Sequence, residues 1–441
     1  MSVFPSFAEA RDRLIHDNEI PSLPSSWDVQ RFRFLFRESK ERNGDQPVGD
    51  MLSVSEYSGV IPREYDNEEQ RRTDDELSNY RVVRKGQLAV NTMWLNHLGL
   101  GVSEHLGHVS PAYAVYDISP KLEYRFVHHL LRSQYYLKIY LRYLYGIRPN
   151  SFQVKTDDWN SIPIIVPPLA VQKSIADFLD RETARIDQLI EKKQRLATLL
   201  QEQFTAFREN LLSNGAPMRL KFLAKFITSG SRDWGTLYSD DGELFIRIGN
   251  ISGKGIDLDL SNKSFVQLGE RSEGVRTKLK VGDLLVSITA NLGSVAIVGS
   301  EAQGGYINQH VALVRLFDSK KARFIAHSLQ TKRCRDQFAI SGNGGTKQGL
   351  SLTDVKEVSI LLPSVEEQAQ RTFLLDARWS KISGIYDKLH ESVAHLREHR
   401  SALITAAVTG QIDVATWGRK GQTGRRLEQN DEEMTGSEGT Y

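Results

Sequence analysis

The residues able to do chemistry are few and scattered. His395-Leu396-Arg397-Glu398-His399 fits the His-x-x-Glu-His spacing that puts two zinc-binding imidazoles and a carboxylate base on one helical face. Two features argue against zinc. Leu396 falls on the apolar seam of a long helix, and the repeat-related stretch Leu199-Leu200-Gln201-Glu202-Gln203 has no histidine. His105 with His108, the pair His128-His129, and Cys334 stand apart from any third ligand or base, and they read as structural. SGKGID from Ser252 and GNGGTKQG from Gly342 do not form the Gly-rich turn ending in Gly-Lys-Ser/Thr that cradles phosphates. Neither a Gly-x-Gly-x-x-Gly turn nor a Gly-x-Ser-x-Gly elbow is found, so no dinucleotide, methyl-donor or acyl-transfer site is predicted.

The remaining polar residues suit recognition. The Gly-rich SGNGGTKQGLS from Ser341 can bring backbone close to a ligand and carries Lys347 for a phosphate and Gln348 for a phosphate or base edge. Its counterpart, YGIRPNSF from Tyr145, carries Arg148 and Asn150. At strand ends stand Ser287, Thr289 and Asn291, matched earlier in the chain by Asn91, Thr92 and Trp94. Asn308-Gln309-His310 has a loose counterpart beginning at Ser110, and Arg247 with Asn250 completes the candidate DNA-contacting set. Arg and Lys read guanine, and Asn and Gln read adenine, through paired hydrogen bonds. Capping of strands and turns is the competing role for each of these residues.

An internal duplication must position them. IPIIVPPLAVQKSIADFLD from Ile162 aligns without a gap to VSILLPSVEEQAQRTFLLD from Val358, an offset of 196 residues. Pro167 falls on Pro363, Gln172 on Gln368 and Asp180 on Asp376, and the same offset sets Gly86 on Gly282. Each copy is a globular block followed by a helical one. Leu169 to Leu212 contains no Pro or Gly, and its apolar positions step by four and three: Ile186, Ile190, Lys193, Ala197, Leu200, Phe204, Phe207 and Leu211. The second series is Ile382, Tyr386, Leu389, Val393, Leu396, Arg400, Leu403 and Ala407. The long basic stems of Lys193 and Arg400 can be buried in such a seam. Asn214-Gly215 and Thr409-Gly410 stand at equivalent stop positions. Connectivity makes the helices antiparallel, and about 44 residues at ~1.5 Å each reach ~66 Å, between one and two turns of B-DNA.

The predicted fold class is therefore α+β: two globular α/β blocks, duplicated in tandem, with two long helices forming an antiparallel coiled coil. The expected boundaries are 1–167 and 215–362 for the blocks, 168–214 and 363–412 for the helices, and 413–441 for a polar, disordered tail. Strands are expected around Gln87–Met93, Ala112–Tyr116, Leu284–Val298 and His310–Phe317, and helices over Tyr124–Tyr143 and Arg323–Phe338. The second copy lacks the Pro-x-x-Trp that ends at Trp27, so no such signal marks its first strand.

Composition agrees with a soluble, non-secreted protein of the cytoplasm. The 441 residues carry 57 Lys/Arg against 55 Asp/Glu, with 40% hydrophobic residues, a single cysteine and no export signal. Charge is unevenly spread. Residues 77–148 hold nine basic against three acidic residues, and residues 216–360 hold twenty against fourteen, as two footprints on a polyanion would.

Taken together, these motifs resemble the specificity subunit of type I restriction–modification enzymes. IPSLPSSW near Ile20, IPIIVPPLAVQKSIADFLDRETARIDQLIEKKQRLATLLQEQ from Ile162, ILLPSVEEQAQRTFLLDARWSKI and SALITAAVTGQID carry the resemblance. It extends over nearly the whole chain. The resemblance implies two target-recognition domains, each reading one half of a split, asymmetric site in double-stranded DNA, with the helices as a ruler for the unread gap. It also implies two modification (methyltransferase) subunits and further restriction subunits as partners. S-adenosylmethionine, ATP and Mg belong to those partners and none to this chain, which is then non-catalytic. The competing reading is a coiled-coil adaptor for other proteins, supported by the near-zero net charge.

Overall fold

In the computed structural model, residues 16, 20, 22–64, 77–145, 153–231, 234, 237–267, 276–342 and 349–417 are described. The chain divides into two units, one of residues 1–191 with 393–441 and the other of residues 192–392. Both are built to one plan.

Unit 1 contains β1 (Asp28–Arg31), β2 (Phe36–Glu38), β3 (Asp50–Ser55), β4 (Gly59–Pro62), β5 (Arg81–Val83), β6 (Leu88–Asn91), β7 (Leu100–Val102), β8 (Gly107–Val109) and β9 (Tyr113–Ile118). Helices α1 (Tyr124–Leu131) and α2 (Gln134–Tyr143) follow, then β10 (Leu144–Tyr145), β11 (Gln153–Val154), α3 (Thr156–Ser161), β12 (Pro163–Val166) and the start of α4 (Leu169–Leu211). An antiparallel sheet runs β2-β9-β6-β7, and a mixed one runs β4-β3-β8-β5 with β3 and β8 parallel. Strand β1 pairs with β12, so the block closes where the long helix departs.

Unit 2 repeats this with β13 (Ala216–Arg219), β14 (Ala224–Ser229), β15 (Tyr238–Ser239), β16 (Glu243–Ile246), β17 (Phe265–Val266), β18 (Leu284–Ser287), β19 (Val295–Ile297), β20 (Tyr306–Ile307) and β21 (Val311–Leu316). Then come α5 (Ala322–Leu329), α6 (Lys332–Gly342), α7 (Leu352–Glu357), β22 (Ser359–Leu362) and α8 (Val365–Val408). Sheet β14-β21-β18-β19 matches β2-β9-β6-β7, and β16 with β20 repeats the parallel pair. Gly86 and Gly282, before β6 and β18, both take left-handed backbone (φ 83° and 86°), which explains glycine at both places.

The offset is not constant. It is 196 at β6/β18 and β12/β22, 198 at α1/α5 and 188 at β1/β13. The second copy does have its first strand: β13 pairs with β22 as β1 does with β12. It needs no Pro-x-x-Trp because α4 delivers the chain directly to it. In unit 1 that segment packs on the end of α8, where a Cβ on Gly410 would lie 2.8 Å from Pro24 and 3.2 Å from Trp27. Gly410 ends α8 in left-handed backbone (φ 72°), with the Gln411 N–H closing on the Ala406 carbonyl. Gly215 does a different job. It enters β13 so close to Leu362 that a Cβ would meet backbone at 2.6 Å.

Each stretch expected as one helix before the block closes is two. Ser133 accepts the Tyr136 N–H and starts α2, and Gln330-Thr331 separates α5 from α6. The tail from Gly418 lies outside the described residues.

Within each unit, α4 and α8 pack antiparallel. In unit 1 Asp187 bonds Arg400 (2.9 Å) while Phe178 meets Trp417. In unit 2 Phe204 meets Trp379 (4.9 Å) and Arg371 donates to the Asn214 carbonyl (3.1 Å). Ile186, Ile190, Phe204, Ile382, Leu389, Val393, Leu396 and Leu403 are buried. Leu200, Phe207, Leu211 and Tyr386 are half-buried, and Tyr386 turns its ring to the Lys254 ammonium (4.3 Å).

The positions matched by the duplication fasten each helix to its block. Asp180 of α4 accepts from Arg125 (2.9 Å) and His129 (2.7 Å) of α1. Asp376 of α8 accepts from Arg323 (2.6 and 2.9 Å) and His327 (3.1 Å) of α5. Burial pushes both carboxyls up, but the hydrogen bonds and charges of those His and Arg partners outweigh it and hold them below the usual range. Gln172 and Gln368 donate to the carbonyls of Pro167 (2.7 Å) and Pro363 (2.8 Å), tying the first turn of each helix to the strand before it.

Candidate nucleic-acid interface

In unit 2 the candidates collect at one end of the β14-β21-β18-β19 sheet. Strand β18 ends at Ser287, opposite Val311 at the start of β21. Beyond that pair the Ile288 N–H donates to the His310 carbonyl (3.1 Å) and the Leu350 N–H to the Ile288 carbonyl (2.8 Å). The mixed sheet arrives at the same place: Ile246 pairs with Ile307, and the Asn308 N–H reaches the Ile246 carbonyl (3.4 Å). Residues 246–250, 287–292, 308–310 and 349–350 therefore converge.

Not all of them face outward. Ser287 is buried and donates to the Ala290 carbonyl (2.6 Å). Asn250 is buried too, accepting the Arg247 N–H (2.9 Å) and donating to the carbonyls of Asp259 (2.8 Å) and Asn262 (3.2 Å). In this structure these two side chains bond within the loops and shape them. Asn308 accepts the His310 N–H (3.2 Å), the competing capping role. Arg247 and Asn291 are exposed, while Thr289, Gln309 and His310 are half-buried, with Gln309 Nε2 and His310 Nε2 3.1 Å apart. Asn291 holds left-handed backbone (φ 52°), which asparagine tolerates better than most residues. Lys347 and Gln348 lie outside the described residues. The flanks of their stretch reach this site, since Leu350 bonds Ile288 and a Cβ on Gly342 would lie 2.6 Å from Leu292 Cδ1.

Unit 1 uses the equivalent sheet end with different side chains. Strand β6 ends at Asn91, opposite Tyr113 at the start of β9. The turn that follows closes on itself through Asn91 N–H to Gly99 carbonyl (2.7 Å) and Gly99 N–H to Trp94 carbonyl (2.9 Å). Asn91 accepts the Met93 N–H (3.2 Å), and Thr92 is half-buried. Trp94 is 50% exposed with its ring 5.5 Å from that of His97. Such a face can stack on a base or pack on a thymine methyl. Ser110 accepts the Ala112 N–H at a long 3.4 Å. Tyr145 is exposed, with the Lys155 ammonium 4.6 Å above its ring, at the far end of the helix α2 that packs on residues 95–97. Arg148 and Asn150 lie outside the described residues, bracketed by the β10–β11 pair.

Sequence reasoning missed the side chains that hold these loops. Arg132 donates to the carbonyls of Leu98 (3.0 Å), Leu100 (2.6 Å), Ser55 (3.3 Å) and Glu56, pinning the Trp94 turn to the β3–β4 turn. Leu98 is held in left-handed backbone (φ 51°) beside it. Gln330 takes the same place in unit 2, donating to Gly255 (2.6 Å) and Val295 (2.9 Å) and accepting from Arg208. Burial lowers both Arg132 and Arg208 to about 10, where each still carries its charge at neutral pH. The signal was the offset of 198 in this part of the chain, which a fixed 196 hides.

Among the described residues no cluster of three or more His, Cys, Asp or Glu side chains could hold a metal ion, and His395 is exposed on α8. Cys334 is buried against the Ser359 carbonyl, and burial pushes its thiol up to about 11. No helix among the described residues is long and apolar enough to cross a membrane.

The fold is thus a duplicated α+β block with differing side chains at one sheet end and two long helices. Residues 255–378 match the family described as the type I restriction modification DNA specificity domain. The EcoBI specificity subunit of Escherichia coli is 22% identical over 339 residues, covering 67% of this chain and 67% of that protein. The EcoKI specificity subunit of Escherichia coli K12 is 24% identical over 324 residues, covering 66% of each. The chain thus spans about two thirds of the length of these relatives. A solved chain described under complex assembly and conformational transition of the type I restriction–modification system shares the fold, with a TM-score of 0.63 at 16% identity over 89% of this chain and all of that one. Over residues 255–378 by family model, and over about two thirds of its length by sequence, the chain is thus similar to type I restriction–modification specificity subunits.

Proposed function

We propose that this chain is the DNA-reading, non-catalytic subunit of a type I restriction–modification complex, each unit reading one half of a split site. The observation that carries this is one scaffold bearing two chemistries. The same sheet end presents Trp94, His97 and Asn91 in unit 1, and Arg247, Asn291, Gln309 and His310 in unit 2. Equal scaffolds with unequal side chains suit an asymmetric target. Basic side chains supply salt-dependent affinity, and base-edge contacts add ~1–3 kcal/mol for each good bidentate pair. The lengths of α4 and α8 then set the unread gap. Modification subunits bring S-adenosylmethionine and the methyl transfer, restriction subunits bring ATP and Mg, and the assembly works in the cytoplasm.

The test is selection of random duplexes by the complex formed with its modification subunit, followed by sequencing. A split motif with a fixed gap is expected. An intact complex that enriches no motif would overturn DNA reading and favour a protein-binding adaptor.

A further inference from the structure

A cluster of cations lies in unit 1, where α8 passes the corner between α1 and α2. A cleft of about 240 Å³ opens there, lined by Arg132 at the corner, Ser133 and Gln134 at the start of α2, Leu98 of the Trp94 turn, and Arg397 and Arg400 of α8. That is below the ~300–1,000 Å³ of clefts that take drug-sized ligands, and it suits a group of a few atoms. Three guanidinium groups line it against one carboxylate, that of Glu56, which lies 3.8 Å from His97. Arg132 forms the floor, with its N–H groups already spent on carbonyls of the two neighbouring turns. Arg400 pairs with Asp187 (2.9 and 3.2 Å) and covers the Tyr57 ring (4.7 Å). Arg397 is exposed and makes no ion pair among the described residues.

Unit 2 shows that folding does not require this set. Helices α4 and α8 correspond at the offset of 196, which sets Arg397 on Gln201 and Arg400 on Phe204. Phe204 is buried against Trp379 (4.9 Å), and Gln201 donates to the Lys254 carbonyl (3.2 Å). Arg208 with Gln330 does there what Arg132 does here, so Arg397 and Arg400 are additions of unit 1. They carry a cost. Burial chiefly, and then the charge of Arg400, lower Arg132, so like charges oppose one another at the cleft. The start of α2 adds to the same field, because the first N–H groups of a helix have no partner within it and carry partial positive charge. An anion between the three guanidinium groups would relieve that repulsion, and their planar forks suit the oxygens of a phosphate.

We infer that this cleft is a phosphate site, with Arg397 and Arg400 as the grasping side chains and Arg132 as the charged floor. Two sources share that chemistry: a backbone phosphodiester of a bound duplex, and a small phosphorylated molecule. The site has a mechanical consequence in either case. Arg132 ties the Trp94 turn to the β3–β4 turn, so a phosphate held between it and the α8 arginines joins both turns to that helix. Asp187 limits the strength, since Arg400 must share its guanidinium with that carboxylate. The site itself does not depend on the function proposed above; only the duplex source does.

The test is titration of the full chain with sodium phosphate, against sodium chloride at equal ionic strength, followed by calorimetry and by hydrogen exchange. Saturable phosphate binding is expected, with slower exchange over residues 55–57, 94–100 and 133–136. Arg397→Gln, which copies unit 2 and so should fold, should bind at least tenfold more weakly. Arg397→Lys, which keeps the charge without the fork, should fall between. No saturable binding by wild type, or equal affinity in wild type and Arg397→Gln, would overturn the site. The source is read from the salt dependence of binding to a random-sequence duplex. Given phosphate binding, a slope lower by about one in Arg397→Gln assigns the phosphate to the duplex backbone, and an unchanged slope assigns it to a small phosphorylated molecule. A wild-type chain that binds phosphate but no duplex would overturn DNA reading and leave the site standing.

Discussion

Replacing Asp376 by alanine tests how unit 2 is fastened to its helix. The carboxylate takes two bonds from Arg323 (2.6 and 2.9 Å) and one from the fully buried ring of His327 (3.1 Å). Hydrogen bonds to charged groups contribute ~1.5–3 kcal/mol each, but the side chains of Arg323 and Asp376 are 42% and 29% exposed, and water discounts their share. A net loss of about 3 kcal/mol follows, equivalent to roughly 6–12 °C in melting temperature for a unit of this size. Hydrogen exchange read by mass spectrometry localises it: α5 and residues 365–392 of α8 should lose protection while α1 keeps its own. The pH dependence has a definite sign. Burial lowers His327 despite the opposing pull of Asp376, so its neutral form stabilises the fold above about pH 6.5 and that contribution fades as pH falls. Without Asp376 the opposing pull is gone, and the acid loss becomes steeper. The depressed Asp376 carboxyl itself contributes stability above about pH 4 that is lost at lower pH, and the variant lacks this part. Asp376→Asn, which keeps an acceptor, should lose about half as much. An unchanged unfolding free energy, or equal loss of protection in both units, would refute the clasp.

Further outcomes follow from the same geometry. Arg247→Ala should weaken selection at one half-site by about tenfold to a hundredfold, and Trp94→Ala at the other; loss at both halves from either change would break the assignment of one unit to each half. Inserting about one helical turn after Leu200, with a matching insertion across the pair near Gly384, should change the preferred gap in duplex selection and leave the half-site sequences alone. Burial first, then the neighbouring charges of His129 and Arg132, lower His128 to about 3 in unit 1, where its Nδ1 accepts the Val102 N–H (3.3 Å). Stability of unit 1 is therefore full above about pH 6.5 and lost progressively towards pH 3, and His128→Gln should flatten that profile in denaturant titrations. Gln172→Leu strands the Glu123 N–H and the carbonyls of Lys121 and Pro167, and should cost about 2–3 kcal/mol by urea unfolding.

The amino-acid order by itself determined the duplication, the two long helices and the strands around the candidate contact loops. Those features rest on local physics: apolar spacing along a helix, prolines before its first turn, and glycines where backbone must turn left-handed. Matching Asp180 to Asp376 was also legible, although its reason was not, because the partners Arg125, His129, Arg323 and His327 lie about fifty residues away in the chain. Tertiary structure alone decided which polar residues face outward. Ser287 and Asn250 look like Thr289 and Asn291 in sequence, yet backbone carbonyls consume the first pair and leave the second near the surface. Nothing in the sequence marks Arg132 and Arg208 as buried struts: the Arg132 guanidinium satisfies several carbonyls that only folding assembles, and Arg208 donates to Gln330, which does the same in unit 2. The match of β1 to β13 escaped a search at one fixed offset because insertions between copies shift the register, and only the equivalent pairings of β1 with β12 and β13 with β22 restore it.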